Sequence, residues 1–337
     1  MIRRRWIDTP YEPVETVGFL VRSLVGSSRR HARGPGAPPR GLLDPSVRPE
    51  LRIALVGDLL PTRGRRLELD DALAAFVRDA DLVVANLEGP IAFAAYRPPH
   101  PLARLDPRSW FVLGHDDRIL EDLARLAPPS HWLLGLANNH AADFGERGFE
   151  RTRRRLREAG FHHFGAADAP SFRLPGAPVE LVAATQWANV RNDLVAAWTP
   201  GRSPGSRSGP EAFRIFYPHW SYEFEHHPRP RFRRLAGELL AADFDALVGH
   251  HSHVVQPLEV LPGGRLVAYS LGNLNWSLPI RREARAGAIL RLTLGPGRGG
   301  RWALRGWERR RTWLERSGPR LQRVVAADGG RGEETSR

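Results

Sequence analysis

Three histidines, His250, His251 and His253, fall within four residues, directly after the apolar run Ala246-Leu247-Val248. Imidazole nitrogens bind metals and carry protons near neutral pH, and a strand end can present several of them together. In an extended segment alternate residues share a face, so His251 and His253 point the same way as a ligand pair. His250 then lies opposite, to donate to a substrate or to support the pair from behind. Asp58, Asn86, Glu88, Asn139, His140 and His219 also follow short apolar runs. Strand ends can bring all of them to one sheet edge, which implies a metal centre of hydrolytic type.

Each residue admits a plainer reading. Asp58 closes a buried strand, where a carboxylate needs a cation or several donors to offset its desolvation; it is a ligand or the cap of the next turn. Glu88, in Asn86-Leu87-Glu88-Gly89-Pro90, can bridge two cations or pair with an arginine. Asn139 offers a neutral amide oxygen and His140 a proton carrier, although Asn-Asn-His is also a common turn. Asp143 either orients His140 or caps a helix. His219 is a solitary ligand or a hydrogen-bonded strand end. His226 and His227 are expected on the surface, and His162 and His163 as structural or exposed.

The elements that must position these residues alternate between strand and helix. Strands are expected at Leu51–Val56, Asp81–Ala85, Trp132–Ala137, Val179–Thr185, Phe213–Tyr217 and Ala246–Val248. Helices are expected at Leu67–Arg78, Ile119–Leu126, Glu146–Ala159 and Arg231–Ala242. This alternation predicts a layered α/β fold. Pro257–Leu261, Leu266–Tyr269, Ala288–Leu294 and Trp302–Trp307 follow without helices between them and predict a second, more antiparallel sheet. Residues 1–48 read as an arm with a short helix around Val14–Leu24, 49–312 as the catalytic-type domain, and 313–337 as a basic, largely disordered tail. Gly201–Gly209 reads as a flexible loop.

Composition narrows the function classes. The 337 residues, 42% of them hydrophobic, suffice for a substantial core. The net charge of +13 is carried entirely by arginine, spread along the chain, so the local runs read as solvated faces and no specific nucleic-acid partner is expected. An anionic polymer or phosphoester substrate remains compatible. With no cysteine, a metal must be held by nitrogen and oxygen, which suits one or two Mn, Fe or Zn ions better than Ca. No run reaches the ~20 apolar residues of a membrane helix, and the expectation is a cytoplasmic protein without a transmembrane segment, at most peripheral to the membrane. No phosphate-cradling Gly-rich loop or Gly-x-Ser-x-Gly elbow occurs.

From Leu51 to Trp276 the motifs resemble the poly-γ-glutamate capsule synthesis proteins of the CapA type, a family related to calcineurin-like metallophosphoesterases. The resemblance is carried by Gly57-Asp58 through Arg63, Asn86 to Pro90, Ala137 to His140 with Asp143-Phe144-Gly145, His219-Trp220, Gly249 to Val254 with Gln256-Pro257, and Tyr269 to Asn273. It implies an αββα sandwich of two sheets flanked by helices. It further implies that Asp58 holds one metal, Glu88 bridges, Asn139, His219 and His251 hold a second, and His253 returns to the first. His140 would then protonate the leaving group, while Arg63 and Asn273 would line the substrate side, where the residues' own chemistry also leads us to expect Asn86 and His250. A capsule-synthase partner is a further implication. Leu60 stands where the phosphoesterases place a histidine, and Glu88 where they place an aspartate, so one metal site is a ligand short. Ser221, Phe224 and Leu274 depart from the capsule pattern, and the family's usual N-terminal membrane anchor is not expected here. A non-catalytic polymer-binding accessory protein is the alternative reading.

Overall fold

The computed structural model describes residues 11–33, 36–95, 112–190, 193–200, 204, 211–275, 282–315 and 318–327. Strands β2 (Leu51–Val56), β4 (Leu82–Asn86), β7 (Trp132–Gly135) and β8 (His162–Phe164) run parallel, side by side. The first three are buried almost throughout, as parallel strands covered on both faces must be. Beyond β2 the sheet turns antiparallel through β15 (Ala286–Pro296) and β16 (Trp302–Leu314). β16 also pairs with β1 (Arg40–Leu42) and β17 (Leu321–Ala326), and β17 with β3 (Arg66–Leu69), which completes nine strands.

The second sheet has six strands in the order β13 (Leu258–Leu261), β14 (Arg265–Ala268), β12 (Ala246–Val248), β11 (Phe213–His219), β10 (Val179–Thr185) and β9 (Ser171–Arg173). Its inner four strands are parallel. The two sheets meet where Phe164 of β8 touches Tyr217 of β11, with ring centroids 5.7 Å apart. Helices α2 (Asp71–Arg78), α3 (Arg118–Leu126) and α4 (Gly145–Glu158) pack on the first sheet, and α5 (Pro230–Ala242) on β12 of the second. The fold is therefore an α/β sandwich of two sheets flanked by helices. A short pair, β5 (Ile91–Phe93) with β6 (His115–Asp116), lies apart from both sheets. Among the described residues no helix is long and apolar enough to cross a membrane.

Three expectations from the sequence are corrected. The helix expected from Leu67 begins only at Asp71, because Leu67 and Leu69 alternate with exposed neighbours in β3 and Asp70 caps the helix by accepting from Leu73 N–H at 2.8 Å. The late strands form no sheet of their own: β13 and β14 extend the second sheet, while β15 pairs with β2 and carries β16 into the first. The stretch after 313, expected as a disordered tail, contains β17, whose Val324 is fully buried. The arm also has fixed places, since α1 (Pro13–Leu24) ties to the loop after β11 through Arg229–Glu15 (2.6 Å) and Arg22–Glu225 (3.4 Å). Apart from Pro204, the loop expected at 201–209 lies outside the described residues, as does Trp276.

Candidate metal centre

The parallel strands of both sheets deliver their C-terminal ends to one place, the usual location of chemistry in α/β sheets. Backbone bridges join Asp58 to Asn273 and, at the ends of the neighbouring strands β11 and β12, His219 to His250. Close approach requires glycine at two points. A Cβ on Gly57 would strike the Gly272 carbonyl, and one on Gly249 would strike Trp220 and the Tyr269 carbonyl.

Asp58 is fully buried and fully engaged. Its Oδ1 accepts from Asn86 Nδ2 at 2.9 Å and lies 2.7 Å from His250 Nδ1, while Oδ2 accepts from the His251 N–H at 3.2 Å. His253 Nδ1 stands 3.6 Å from Oδ2. Burial pushes the Asp58 carboxyl up, but the positive potential of His250 and His253 and these hydrogen bonds outweigh it and hold the group below its usual range.

Glu88 is the opposite case. It is fully buried, and neither carboxylate oxygen has a hydrogen-bond partner. His253 Nε2 is 3.5 Å from Oε1, and the His253 ring is steadied at Nδ1 by Asn273 Oδ1 at 2.9 Å. Burial, followed by the charges of Asp58, Glu223 and Asp143, raises the Glu88 carboxyl well above the ordinary value. Ligand atoms of Asp58, Glu88 and His253 lie within 4.8 Å of one another, and this buried Asp-Glu-His group can hold a metal ion. Orphaned carboxylate oxygens in such a donor set fit a divalent cation, which would satisfy them where no protein group does.

The residues expected around a second ion are adjacent but paired among themselves. His219 Nε2 lies 2.7 Å from Asn139 Oδ1, and the rings of His219 and His251 are 4.6 Å apart at their centroids. Burial first, then neighbouring histidines, lowers both His219 and His251 well below the usual imidazole range. Neutral imidazole is the form that binds metal.

The histidine cluster is not extended. His251 and His253 have φ of +92° and +55°, so strand alternation does not place them. Positive φ at non-glycine residues costs about 1–3 kcal/mol each and gathers at functional sites. The result still brings the His251 and His253 rings to 6.3 Å and turns His250 onto Asp58 and the Tyr217 ring. His250 is thus buried against a carboxylate and does not face an open substrate side.

Asn86 and Asn273, also expected at the substrate, are likewise occupied: Asn86 by Asp58 and by Asn138 Nδ2 at 3.2 Å, Asn273 by His253 and the Ala284 carbonyl at 2.8 Å. Their amides hold Asp58 and His253. Arg63 is half-buried with φ +54°. His140 keeps 8% of its surface exposed, and its Nδ1 lies 2.7 Å from Asp143 Oδ2. That carboxylate oxygen also accepts from Leu113 N–H at 2.7 Å, while α4 starts without a side-chain cap, so Asp143 orients His140. Leu60 is buried and its backbone is clamped by Asn275 at 2.8 Å in both directions.

Sequence reasoning missed the aromatic wall. Tyr11 lies 2.6 Å from His251 Nε2, donates its proton to Glu223, and packs edge-on against Trp187 at 5.1 Å. Asn189 Nδ2 lies 3.3 Å from His140 Nε2. A contact between residues 240 positions apart leaves no periodic signal. His226, expected on the surface, is half-buried and 3.0 Å from Ser27 Oγ.

The family model described as bacterial capsule synthesis protein PGA_cap matches residues 52–195 and 206–275. PGA biosynthesis protein CapA of Bacillus subtilis (strain 168) is 27% identical over 258 residues, covering 66% of this chain and 62% of the relative. Capsule biosynthesis protein CapA of Bacillus anthracis is 29% identical over 227 residues, covering 60% and 52%. The chain therefore spans less than two thirds of either relative's length. Among solved structures, a hypothetical protein from Thermus thermophilus aligns at a TM-score of 0.40 and 18% identity, covering 77% of this chain and 99% of that one.

Proposed function

The chain belongs to the bacterial capsule synthesis protein family PGA_cap, and from that premise we propose that its strand-end centre makes it a metal-dependent hydrolase of a capsule-type anionic polymer or a phosphoester. The observation that carries this reading is Glu88, a buried carboxylate with both oxygens unsatisfied beside Asp58 and His253. Asp58, Glu88 and His253 would hold a first ion, and Asn139, His219 and His251 a second. A thiolate-free set of imidazole, amide and carboxylate suits Mn, Fe or Zn. Such a cation supplies the positive charge that activates water and offsets charge developing on the substrate.

The protein's own groups divide the remaining work. His140, held at Nδ1 by Asp143, would give a proton from Nε2, beside the Asn189 amide, to the leaving oxygen or nitrogen. His140 is buried apart from 8% of its surface, the side from which a substrate would have to approach. Asn86 and His250 hold Asp58, and Asn273 holds His253, so each ligand is aimed before anything binds. Arg63 and the arginine excess suit an anionic substrate.

The test is turnover of a phosphodiester and of poly-γ-glutamate across a Mn, Fe and Zn panel, with wild type active and His251→Ala inactive. An absence of turnover with every metal contradicts the reading. Leu60 favours a second one, a non-catalytic accessory protein that binds an anionic polymer or a synthase, because an apolar side chain is sealed in where the resemblance calls for a ligand. Salt-sensitive polyglutamate binding unaffected by His140→Ala, without turnover, would support it.

A further inference from the structure

We propose that Tyr11 is a positioning residue of the metal centre: its hydroxyl, anchored by Glu223, fixes His251 as the Nε2–H tautomer and leaves Nδ1 as the ligand atom. This rests on the reading of His251 as a ligand, but the geometry behind it is separate. A phenol has one proton and two lone pairs. The Tyr11 proton goes to Glu223 Oε2, and one lone pair accepts the Glu223 backbone N–H at 3.3 Å. With Glu223 ionised, the other lone pair, 2.6 Å from His251 Nε2, can only accept, so Nε2 carries the hydrogen. A neutral imidazole has a single N–H, and Nδ1 is therefore a bare lone pair. That nitrogen is buried and has no hydrogen-bond partner. A buried acceptor without a donor is costly, and a cation at Nδ1 would remove the cost.

The hydroxyl is held firmly enough to set a tautomer. Tyr11 is 2% exposed, and its ring is packed by Trp187 at 5.1 Å, Tyr222 at 5.2 Å and Phe19 at 6.1 Å. Arg22 Nε, one helix further on, donates to the Glu223 carbonyl at 2.8 Å and ties α1 to the same anchor. The chain Glu223–Tyr11–His251 acts as the carboxylate partners of metal-bound histidines do, choosing the ligand nitrogen and raising its basicity. Tyr11 lies outside the residues matched by the family model. The N-terminal segment is therefore a working part of this centre.

The experiment uses the full chain with 15N-labelled histidine, metal-free, and long-range proton–nitrogen correlation. The His251 signal is identified by its loss in His251→Asn. Wild type should show a protonated Nε2 and an unprotonated Nδ1 at His251, and Tyr11→Phe, which keeps the ring, should lose that preference. Titration with Mn²⁺ or Zn²⁺ should then find about 10- to 100-fold weaker binding in Tyr11→Phe. A merely structural tyrosine would lower the melting temperature and leave both readouts alone. A wild-type His251 protonated at Nδ1, or a tautomer and Kd unchanged in Tyr11→Phe, overturns the proposal. If Tyr11→Phe does not fold, Glu223→Gln gives the same tautomer readout. A wild type that binds no metal would defeat the proposed function, while the tautomer signal still decides the role of Tyr11.

Discussion

The two halves of the centre are built from similar donors and are satisfied in opposite ways. In the carboxylate half, Asp58 has three hydrogen-bond contacts, only one of them at Oδ2, and Glu88 has none, so this group keeps lone pairs to offer a cation. In the imidazole and amide half, Asn139 and His219 bond to each other at 2.7 Å and His251 bonds to Tyr11. The first half is ready for an ion as it stands. The proposed second ion would have to open the Asn139–His219 pair, and the cost of doing so would make that the weaker site.

The largest effect expected from this contrast is a difference between two variants. Glu88→Ala should abolish tight metal binding and turnover, whereas Asn139→Ala should leave one tightly held ion and lose only the weaker one. Metal titration by calorimetry checks it, and equal losses in both variants would erase the distinction between the halves.

A second, smaller effect sharpens the separation between holding metal and moving protons. His140→Ala should lower kcat by about 10²- to 10⁴-fold with metal content unchanged, as measured by steady-state kinetics beside elemental analysis. Loss of metal in that variant would place His140 among the ligands.

The smallest effect separates both halves from the arm. Burial lowers the His226 pKa to about 4, against 6.5 for the free side chain, so folding excludes a proton that the unfolded chain binds. That contribution to stability is complete above pH ~6.5 and is lost as pH falls towards about 4. His226→Gln should therefore flatten the pH dependence of the melting temperature over that window by a few degrees. An unchanged slope would mean that the acid sensitivity of the fold lies elsewhere.

Much of this was legible in the sequence, for identifiable reasons. Parallel strands buried on both faces are written as unbroken apolar runs, so β2, β4, β7 and β12 and the polar residues ending them could be placed directly. The runs also put Asp58, Glu88 and His253 at one edge, which is where the metal-competent group lies. Leu67 and Leu69 misled because two apolar residues spaced by one fit a strand, yet also extend backwards the helical stripe of Leu73, Phe76 and Val77. For His250 the alternation rule could not choose between substrate contact and support of the ligand pair, because it assumes an extended chain while His251 and His253 adopt left-handed backbones. Tyr11 was beyond reach, since its partner His251 is distant in sequence and its own neighbourhood carries no pattern. The tail hid β17 behind its arginines and glycines, although Leu321-Gln322-Arg323-Val324 pairs in register with β3.

The central claim is that the buried Asp-Glu-His group is a metal site, and elemental analysis of the protein purified without chelator tests it most directly. At least one equivalent of Mn, Fe or Zn per chain, removed by chelator and restored by dialysis against the ion, is the predicted result. Protein that carries none of these metals and takes up none on titration would contradict the account.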